Sequence, residues 1–252
     1  PKGNGLNSAE WYYGPQTRLL TAYDINYNNP KALFNSIHAN ISYQYIGESR
    51  HNRSFGKDNL SNRIEYVHAV GYSLDIAKQI KTNKIIFGVD GQYSMVISKA
   101  NKVDITTGEQ SPLDTRYPNG KDNMNTFAVY ATHIGKYGKY FTINDGIRIG
   151  VSSLHARFND TTFFKFPFQT VIQNNFTASG NLGVAYAPTD KWKIALLFNT
   201  GFRVPNIDDL SKVFESAPGK IIVPNNKIKP EKTISGELNI FKQFGNSVKW
   251  EN

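Results

Sequence analysis

The histidines of this 252-residue chain are the first residues to consider for metal chemistry. They are spread widely, at His38, His51, His68, His133 and His155. No two of them have the close spacing of a helical metal site, and the sequence contains no cysteine that could add a thiolate. The sequence therefore predicts no metal site and no cofactor, and the lack of cysteine also removes disulfides and cysteine nucleophiles.

Hydrolytic chemistry would need a serine, a histidine and a carboxylate that converge in the fold. Residues of these types are plentiful, but no Gly-x-Ser-x-Gly segment marks a nucleophile. The glycines at 3–5 and 180–183 do not form a phosphate-binding loop either. We therefore assign no catalytic residues and predict that the protein is not an enzyme.

Cationic and aromatic residues in polar segments are the candidates for binding an anionic ligand. The segments 47–62 and 159–174 carry them. The candidate ligand-binding residues are Arg50, His51, Arg53, Lys57, Phe163, Phe164 and Phe166. The alternative is that these segments are solvated or pack on each other, and for His51 we favour a solvated loop histidine.

The composition indicates what kind of fold positions these residues. Mean hydropathy is −0.45, yet 13% of residues are aromatic, which suits a sheet with one apolar and one wet face. The formal net charge of +9 comes from scattered residues, so no basic run or helix face indicates nucleic-acid binding. No stretch approaches the roughly 18 to 20 apolar residues of a spanning helix. A membrane would have to be crossed by strands.

Apolar and polar side chains alternate along most of the chain, as expected for strands between lipid and a wet lumen. In 193–203 the alternation is nearly regular, with Leu197 as the exception. It predicts an outward apolar face of Leu182, Val184, Tyr186, Ile194, Leu196, Phe198 and Phe202. It also predicts an inward polar face that contains Asn181, Lys193, Asn199 and Arg203.

Short and long connections alternate along the chain. Turn-forming residues predict short turns near 28–30, 81–83, 136–139, 188–191 and 245–246. Long polar loops are predicted at 47–62, 100–123, 159–174 and 207–232. A soluble sandwich has no reason to sort its loops in this way, whereas a membrane barrel does. The predicted fold is all-β, an antiparallel up-and-down transmembrane β-barrel.

Two motifs resemble those of TonB-dependent outer-membrane receptors. Gly201, Phe202, Arg203, Val204, Pro205 and Asn206 resemble the strand end Gly-Phe-Arg-Ala-Pro-Asn of that family. Asn225, Asn226, Lys227, Ile228, Lys229, Pro230 and Glu231 resemble its Asn-Pro-Asn-Leu-Lys-Pro-Glu. Val204 and Asn226 are mild departures from the two motifs, and the likeness extends over at least 140–241.

The resemblance implies a receptor of the bacterial outer membrane that imports a scarce nutrient, such as a ferric siderophore. The partners that it implies are outer-membrane lipid, a small-molecule ligand at the extracellular loops, and the TonB energy-transducing complex. TonB would be engaged through a plug region, which nothing in this sequence resembles. Family members that take haem often carry a histidine between the two motifs, and 207–224 contains none.

The number of strands predicts an incomplete barrel. Nine strands are readable and a tenth begins near 247, whereas plugged transporters have about 22. We therefore expect residues 1–252 to form a partial, open segment of the barrel, with edges near 17–27 and 233–244. Arg203 either contacts the plug or ligand path or, as we favour, pairs with a lumen carboxylate such as Glu237.

Two other functions stay open at this point. A passive porin would conduct ions without a plug, and a soluble all-β binding module would stay in solution without detergent.

Overall fold

The computed structural model describes residues 8–160, 162–163, 168–211, 214–217, 220–222, 225, 227–245 and 248–251. The first seven strands are β1 (Ser8–Tyr13), β2 (Thr17–Asn28), β3 (Ser36–Ser54), β4 (Asn59–Ile80), β5 (Asn83–Asp104), β6 (Gln110–Pro112) and β7 (Asp122–Tyr137). They are followed by β8 (Phe141–Arg157), β9 (Thr170–Thr189), β10 (Trp192–Arg203), helix α1 (Ile207–Ser211), β11 (Phe214–Ala217), β12 (Lys220–Ile222), β13 (Glu231–Phe244) and β14 (Val248–Glu251). No helix in these ranges is long and apolar enough to cross a membrane.

The long strands form one antiparallel sheet in the order β1-β3-β4-β5-β7-β8-β9-β10-β13-β14. Strand β2 pairs with β3 beside β1, β6 pairs with β5, and β11 and β12 pair with each other. The sheet is therefore about ten positions wide, which confirms the predicted number of strands. Over the described ranges no ladder joins β2 to β13 or β14, so the sheet is an open part of a barrel wall.

The predicted outward row on β9 and β10 is confirmed. Leu196 lies opposite Val184 on one side and Leu238 on the other. The row is exposed, with Leu196 at 46% and Phe198 at 53% of their full accessibility, so no second sheet covers it. Because side chains alternate between faces, the residues between them belong to the inner face.

Aromatic side chains mark two levels on the outer face. The lower level, beside the short turns, consists of Tyr137, Tyr140, Phe141, Tyr186 and Trp192. The upper level consists of Tyr43, Tyr45, Tyr66 and His68, in which the Tyr43 hydroxyl is 2.9 Å from His68 Nδ1. Aromatic residues favour the two membrane interfaces. The strand segments between these levels are the membrane-spanning segments, and the remaining parts lie outside the hydrocarbon.

Most short connections are tight turns, as predicted. The turns after β4, β7 and β13 contain Lys81, Gly138 and Gly245, whose φ angles are 54°, 64° and 60°. Such left-handed conformations are strain-free for glycine and uncommon for lysine. The connection after β2 is longer than predicted, because β3 begins at Ser36.

The prediction of a long loop at 47–62 is wrong. Strand β3 continues to Ser54 and β4 begins at Asn59, and the ladder between them includes Arg50 with Arg63. Here both faces of the hairpin are wet, so a paired strand carries polar residues on both sides and loses its alternation. Strands also extend into the other predicted loops, since β5 ends at Asp104 and β9 begins at Thr170.

A buried apolar cluster lies at the ends of β8 and β9 that carry the long connections, which is the extracellular end in outer-membrane barrels. Leu154, Ala156, Phe158, Val171 and Ile207 form it. Tyr117 and Ile228, from two different connections, pack against it. The extracellular connections therefore fold over the inner face of the sheet and bring their polar residues to that face.

Candidate ligand site on the inner face

Charged residues of β3 and β4 meet on the inner face at the extracellular end. In the β3–β4 ladder, Glu48 lies opposite Glu65 and Arg50 opposite Arg63. Residues two apart in a strand share a face, so these four side chains point to the same side. The connection before β7 adds Asp114 and Arg116. These six residues are called the inner-face charge cluster below.

The arginines of this cluster differ in how many of their donors already have a partner. Arg63 has the most partners, because its Nη2 lies 3.0 and 2.9 Å from the two carboxylate oxygens of Asp114 and its Nε donates to the Asp114 main-chain oxygen at 3.1 Å. Arg50 has a longer contact of 3.4 Å to Glu48. Arg116 lies 3.8 Å from Glu48 and 3.6 Å from Asp208. Arg50 and Arg116 therefore keep donors for a further partner.

Glu65 is the most deeply buried member of the cluster. It is 2% exposed, and both of its carboxylate oxygens lack a hydrogen-bond partner. Burial raises the pKa of Glu65, although Arg116 and Arg50 act in the opposite direction. The Nε atoms of Arg50 and Arg116 are also buried without a partner. The cluster therefore has buried acceptors and buried donors without a partner. Both suit a ligand, or ordered waters, with donors as well as acceptors.

Tyr117 fixes the connection that carries Arg116. Its hydroxyl donates to Asp208 of α1 at 2.9 Å, and its main-chain N–H donates to Ser98 Oγ at 3.4 Å. Burial, together with the bond to Asp208, raises the pKa of Tyr117 to about 12. The hydroxyl therefore stays protonated and continues to hold the connection against α1.

The predicted ligand-binding residues of β3 are divided between the two faces. Arg50 joins the inner-face charge cluster, whereas Arg53 lies on the outer face and pairs with Glu10 at 2.7 Å. His51 is also on the outer face. Its Nδ1 lies 2.6 Å from Asn62 Oδ1 and its Nε2 lies 2.9 Å from Ser49 Oγ, so both ring nitrogens already have partners.

The other predicted ligand-binding residues are not brought to this cluster. Lys57 is exposed in the turn between β3 and β4. Phe163 is 43% exposed in the connection between β8 and β9. Phe164 and Phe166 lie outside the described residues. The sequence did not reveal three members of the cluster, Glu65, Asp114 and Arg116. They come from a second strand, β4, and from the connection before β7, and only the fold brings them close to Arg50.

The two family motifs meet in the structure. Arg203, at the end of β10, lies opposite Glu231, the first residue of β13. Its Nη1 is 3.1 Å from Glu231 and its Nη2 is 2.7 Å from Asp209. The expected pairing with a carboxylate is therefore present, but Glu237 is not the partner, because Glu237 lies opposite Leu197 farther along the strand.

Asp209 holds the turn that follows the first motif. The N–H of Asn206 donates to Asp209 Oδ2 at 3.0 Å, and the N–H of Asp209 donates to Asn206 Oδ1 at 3.0 Å. This reciprocal arrangement is a capping box at the start of α1. Burial opposes the shift, but the Asn206 N–H and Arg203 together lower the pKa of Asp209. Pro205, which cannot donate to a ladder, is buried just beyond the end of β10.

The remaining motif residues have local structural roles. Gly201 faces Thr233, and a Cβ at this position would lie 2.8 Å from Thr233 Oγ1. Phe202 lies opposite Lys232. Asn225 accepts the N–H of Lys227 at 3.0 Å. Lys229 is exposed and Pro230 is half-buried.

A second polar region lies lower on the inner face. A cavity of about 410 Å³ is lined by Asp90, Tyr130, Arg148, Asn181 and Asn199, among others. Arg148 Nη2 lies 2.6 Å from Asp90, and the Tyr130 hydroxyl donates to Asp75. Nowhere in the described ranges do three or more histidine and acidic side chains converge as a metal site.

Comparison with known families agrees with this architecture. The family model described as TonB dependent receptor-like, beta-barrel matches residues 1–250. The chain therefore belongs to this family of β-barrel proteins, whose members lie in the bacterial outer membrane.

Several solved structures share the fold. The copper transporter OprC superposes with a TM-score of 0.77 at 16% identity, covering 92% of this chain and 37% of OprC. The ferric yersiniabactin uptake receptor FyuA from Yersinia pestis has a TM-score of 0.63 at 17% identity, covering 94% of this chain and 35% of FyuA. The siderophore receptor PiuA from Acinetobacter baumannii has a TM-score of 0.62 at 13% identity, covering 91% of this chain and 38% of PiuA. The chain thus spans well under half the length of these proteins. A comparison with curated protein sequences finds no match.

Proposed function

We propose that the chain is part of the wall of an outer-membrane receptor that takes up a scarce nutrient, a ferric siderophore or similar ligand, in a TonB-dependent way. Membership of the receptor family supports this proposal. The similar structures support it too, since they include a copper transporter, a ferric yersiniabactin uptake receptor and a siderophore receptor. The TonB complex and a plug region are the partners that the proposal requires.

The inner-face charge cluster is the observation that carries the proposal. It lies at the extracellular end, beneath a connection that Tyr117 ties to α1. Arg50 and Arg116 keep unused donors there, and Glu65 keeps unused acceptors. A ferric siderophore presents anionic oxygens around its metal together with polar groups on its periphery, so it can satisfy both kinds of atom.

The family and its neighbours are transporters and receptors, and we propose no catalytic role. The His51 side chain and the Arg53 guanidinium already have partners in neighbouring residues. Of the predicted ligand-binding residues that lie on β3, we therefore propose Arg50 as the main ligand contact. We also propose no nucleic-acid partner, because the charges of the described inner face are mixed in sign.

The test is uptake by cells that produce the receptor containing this chain. Arg50→Ala and Arg116→Ala together should lower uptake of a labelled ferric siderophore, while Lys193→Ala, which also removes a cation from the inner face, should leave it unchanged. Collapse of the proton-motive force should abolish uptake.

A porin gives a different result. Uptake would then persist without the proton-motive force, and the purified protein would conduct ions in a planar bilayer. Either observation would contradict the proposed function.

A further inference from the structure

On β5, β7 and β8 the apolar outer face is interrupted by three polar residues near the short turns. The ladders pair Ile85 with His133, His133 with Asp145, and Asp145 with Leu182. These residues therefore share one face with Leu182, which belongs to the confirmed outward row. Asn83, two residues before Ile85, lies on the same face. The outer face thus carries a histidine, an aspartate and an asparagine where apolar residues are expected.

The three side chains form a connected cluster. His133 Nδ1 lies 2.8 Å from Asp145 Oδ1, and His133 Nε2 lies 3.1 Å from Asn83 Oδ1. The histidine ring also makes an edge contact with Tyr137, at 6.3 Å between ring centroids. Gly135 provides the space, since a Cβ there would lie 1.9 Å from Asn83 Oδ1 and 2.8 Å from His133 Nε2. The local sequence is therefore adapted to hold the cluster together.

The cluster leaves polar atoms that point outward. The side chain of Asp145 is 45% exposed, whereas that of His133 is 22% exposed. Among the described hydrogen bonds, none uses the second carboxylate oxygen of Asp145 or the amide nitrogen of Asn83. One acceptor and one donor are therefore available on the lipid side. An ionisable group that faces hydrocarbon is costly, and it is normally kept where a polar partner meets it.

The position of the cluster limits what that partner can be. Asn83 is the first residue of β5 and directly follows the turn that contains Lys81, so this end of the cluster lies at the membrane surface. Asp145 lies four residues above Phe141, the start of β8, which corresponds to about 10 Å of depth for a tilted strand. The cluster therefore runs from the level of the lipid headgroups toward the hydrocarbon.

We propose that Asn83, His133 and Asp145 bind the headgroup of a phosphoethanolamine lipid. The primary ammonium of this headgroup donates to the free oxygen of Asp145, and its phosphate accepts from the amide nitrogen of Asn83. Lys81, in the adjacent turn, adds positive charge on the phosphate side. A choline headgroup has no N–H donor and cannot make this hydrogen bond to Asp145. The proposal depends on the position in the outer membrane and not on the proposed uptake.

The test is competitive lipid retention by the receptor that contains this chain. The delipidated protein is mixed in detergent with equal amounts of phosphatidylethanolamine, phosphatidylcholine and phosphatidylglycerol of identical acyl chains, and bound lipids are identified by native mass spectrometry. Phosphatidylethanolamine should be preferred over phosphatidylcholine by about tenfold or more, the contribution of one charge-assisted hydrogen bond. Asp145→Asn should remove the preference, and Gly135→Ala should reduce it by displacing Asn83.

Asp190→Asn is the matched control, because it makes the same change in an exposed turn on the same side of the membrane. It should keep the preference, and resistance of all variants to unfolding by cold SDS should show that each is folded. Equal retention of the ethanolamine and choline lipids, a preference that survives in Asp145→Asn, or a preference for the glycerol lipid would each overturn the proposal. A protein that co-purifies on this face would overturn it too. If the receptor does not take up the siderophore but keeps its preference for phosphatidylethanolamine, the result contradicts the proposed function and leaves the lipid proposal in place.

Discussion

The outer and inner faces of the sheet share the same strands but are held in different ways. On the outer face of β9 and β10, apolar side chains such as Leu196 lie in register and exposed. On the inner face, Arg148 with Asp90 and Arg63 with Asp114 form hydrogen-bonded ion pairs between elements. Stability of the outer face therefore depends on the surrounding lipid, whereas the inner face is stabilised by specific partners. Substitutions on the two faces should therefore destabilise the protein for different reasons.

The largest expected effect comes from a charge on the outer face. Leu196→Arg should lower the free energy of unfolding by about 2 to 4 kcal/mol if the residue lies near the middle of the bilayer. Asn199→Arg, on the inner face of the same strand, should cost much less. Urea titration of the receptor folded into lipid vesicles measures both. Equal losses at the two positions would contradict the assignment of faces.

The second effect concerns a buried carboxyl on the inner side of the extracellular end. Asp122 is fully buried, accepts the N–H of Arg157 at 3.1 Å, and keeps one oxygen without a partner. Burial raises the pKa of Asp122 to about 7. The folded state therefore binds the proton more tightly than the unfolded state, and the local stability is lost as the pH rises toward 7.

Between about pH 5 and pH 8 the strand ends around Asp122 should lose on the order of 2 kcal/mol of local stability. Hydrogen exchange of the Arg157 amide, corrected for its intrinsic rate, measures this change. Asp122→Asn should make the protection independent of pH over this range. Protection that rises with pH in the unmodified protein would show that the carboxyl is ionised in the fold.

The third effect removes one hydrogen bond from the inner face. Tyr130→Phe deletes the hydroxyl that donates to Asp75 and should cost about 1 kcal/mol in the same urea titration. Tyr93→Phe is the control, because Tyr93 is on the outer face and 44% exposed. A greater loss of stability for Tyr93→Phe than for Tyr130→Phe would contradict the proposed difference between the faces.

The smallest effect is expected at Arg203, although this residue joins the two family motifs. Its side chain is 51% exposed, so solvent and salt screen its pairs with Glu231 and Asp209. Arg203→Ala should lower stability slightly at low salt and not measurably at high salt. A loss that does not change with salt would indicate that packing, rather than charge, gives Arg203 its role.

Alternation was sufficient to predict the fold wherever one face of a strand meets lipid. It assigned Leu182, Leu196 and Asn199 to the correct faces because a period of two has a clear apolar half. It failed for 47–62, where both faces are wet. The alternation is less regular in 124–135 and 140–158, because His133 and Asp145 lie on the outer face there.

The candidate site was less predictable than the fold. The inner-face charge cluster combines β3 and β4 with a connection more than 30 residues farther along the chain. Nothing in the spacing of Glu65 and Arg116 indicates that they meet. The partner of Arg203 was missed for a related reason. The register that brings Glu231 opposite Arg203 depends on a long connection. Asn206 and Asp209, by contrast, already have the three-residue spacing of a capping box in the sequence.

The length of the β4–β5 pair has a consequence for how the protein can vary at the cell surface. Each strand has 22 residues, which corresponds to about 55 Å along the membrane normal, against an apolar band of about 25 Å. Roughly half of this paired ribbon therefore stands above the membrane. Inserting two residues into each strand would raise its tip and keep every side chain on its own side, whereas inserting one would exchange inside and outside for all residues beyond. The height of this projection can therefore change only in steps of two residues.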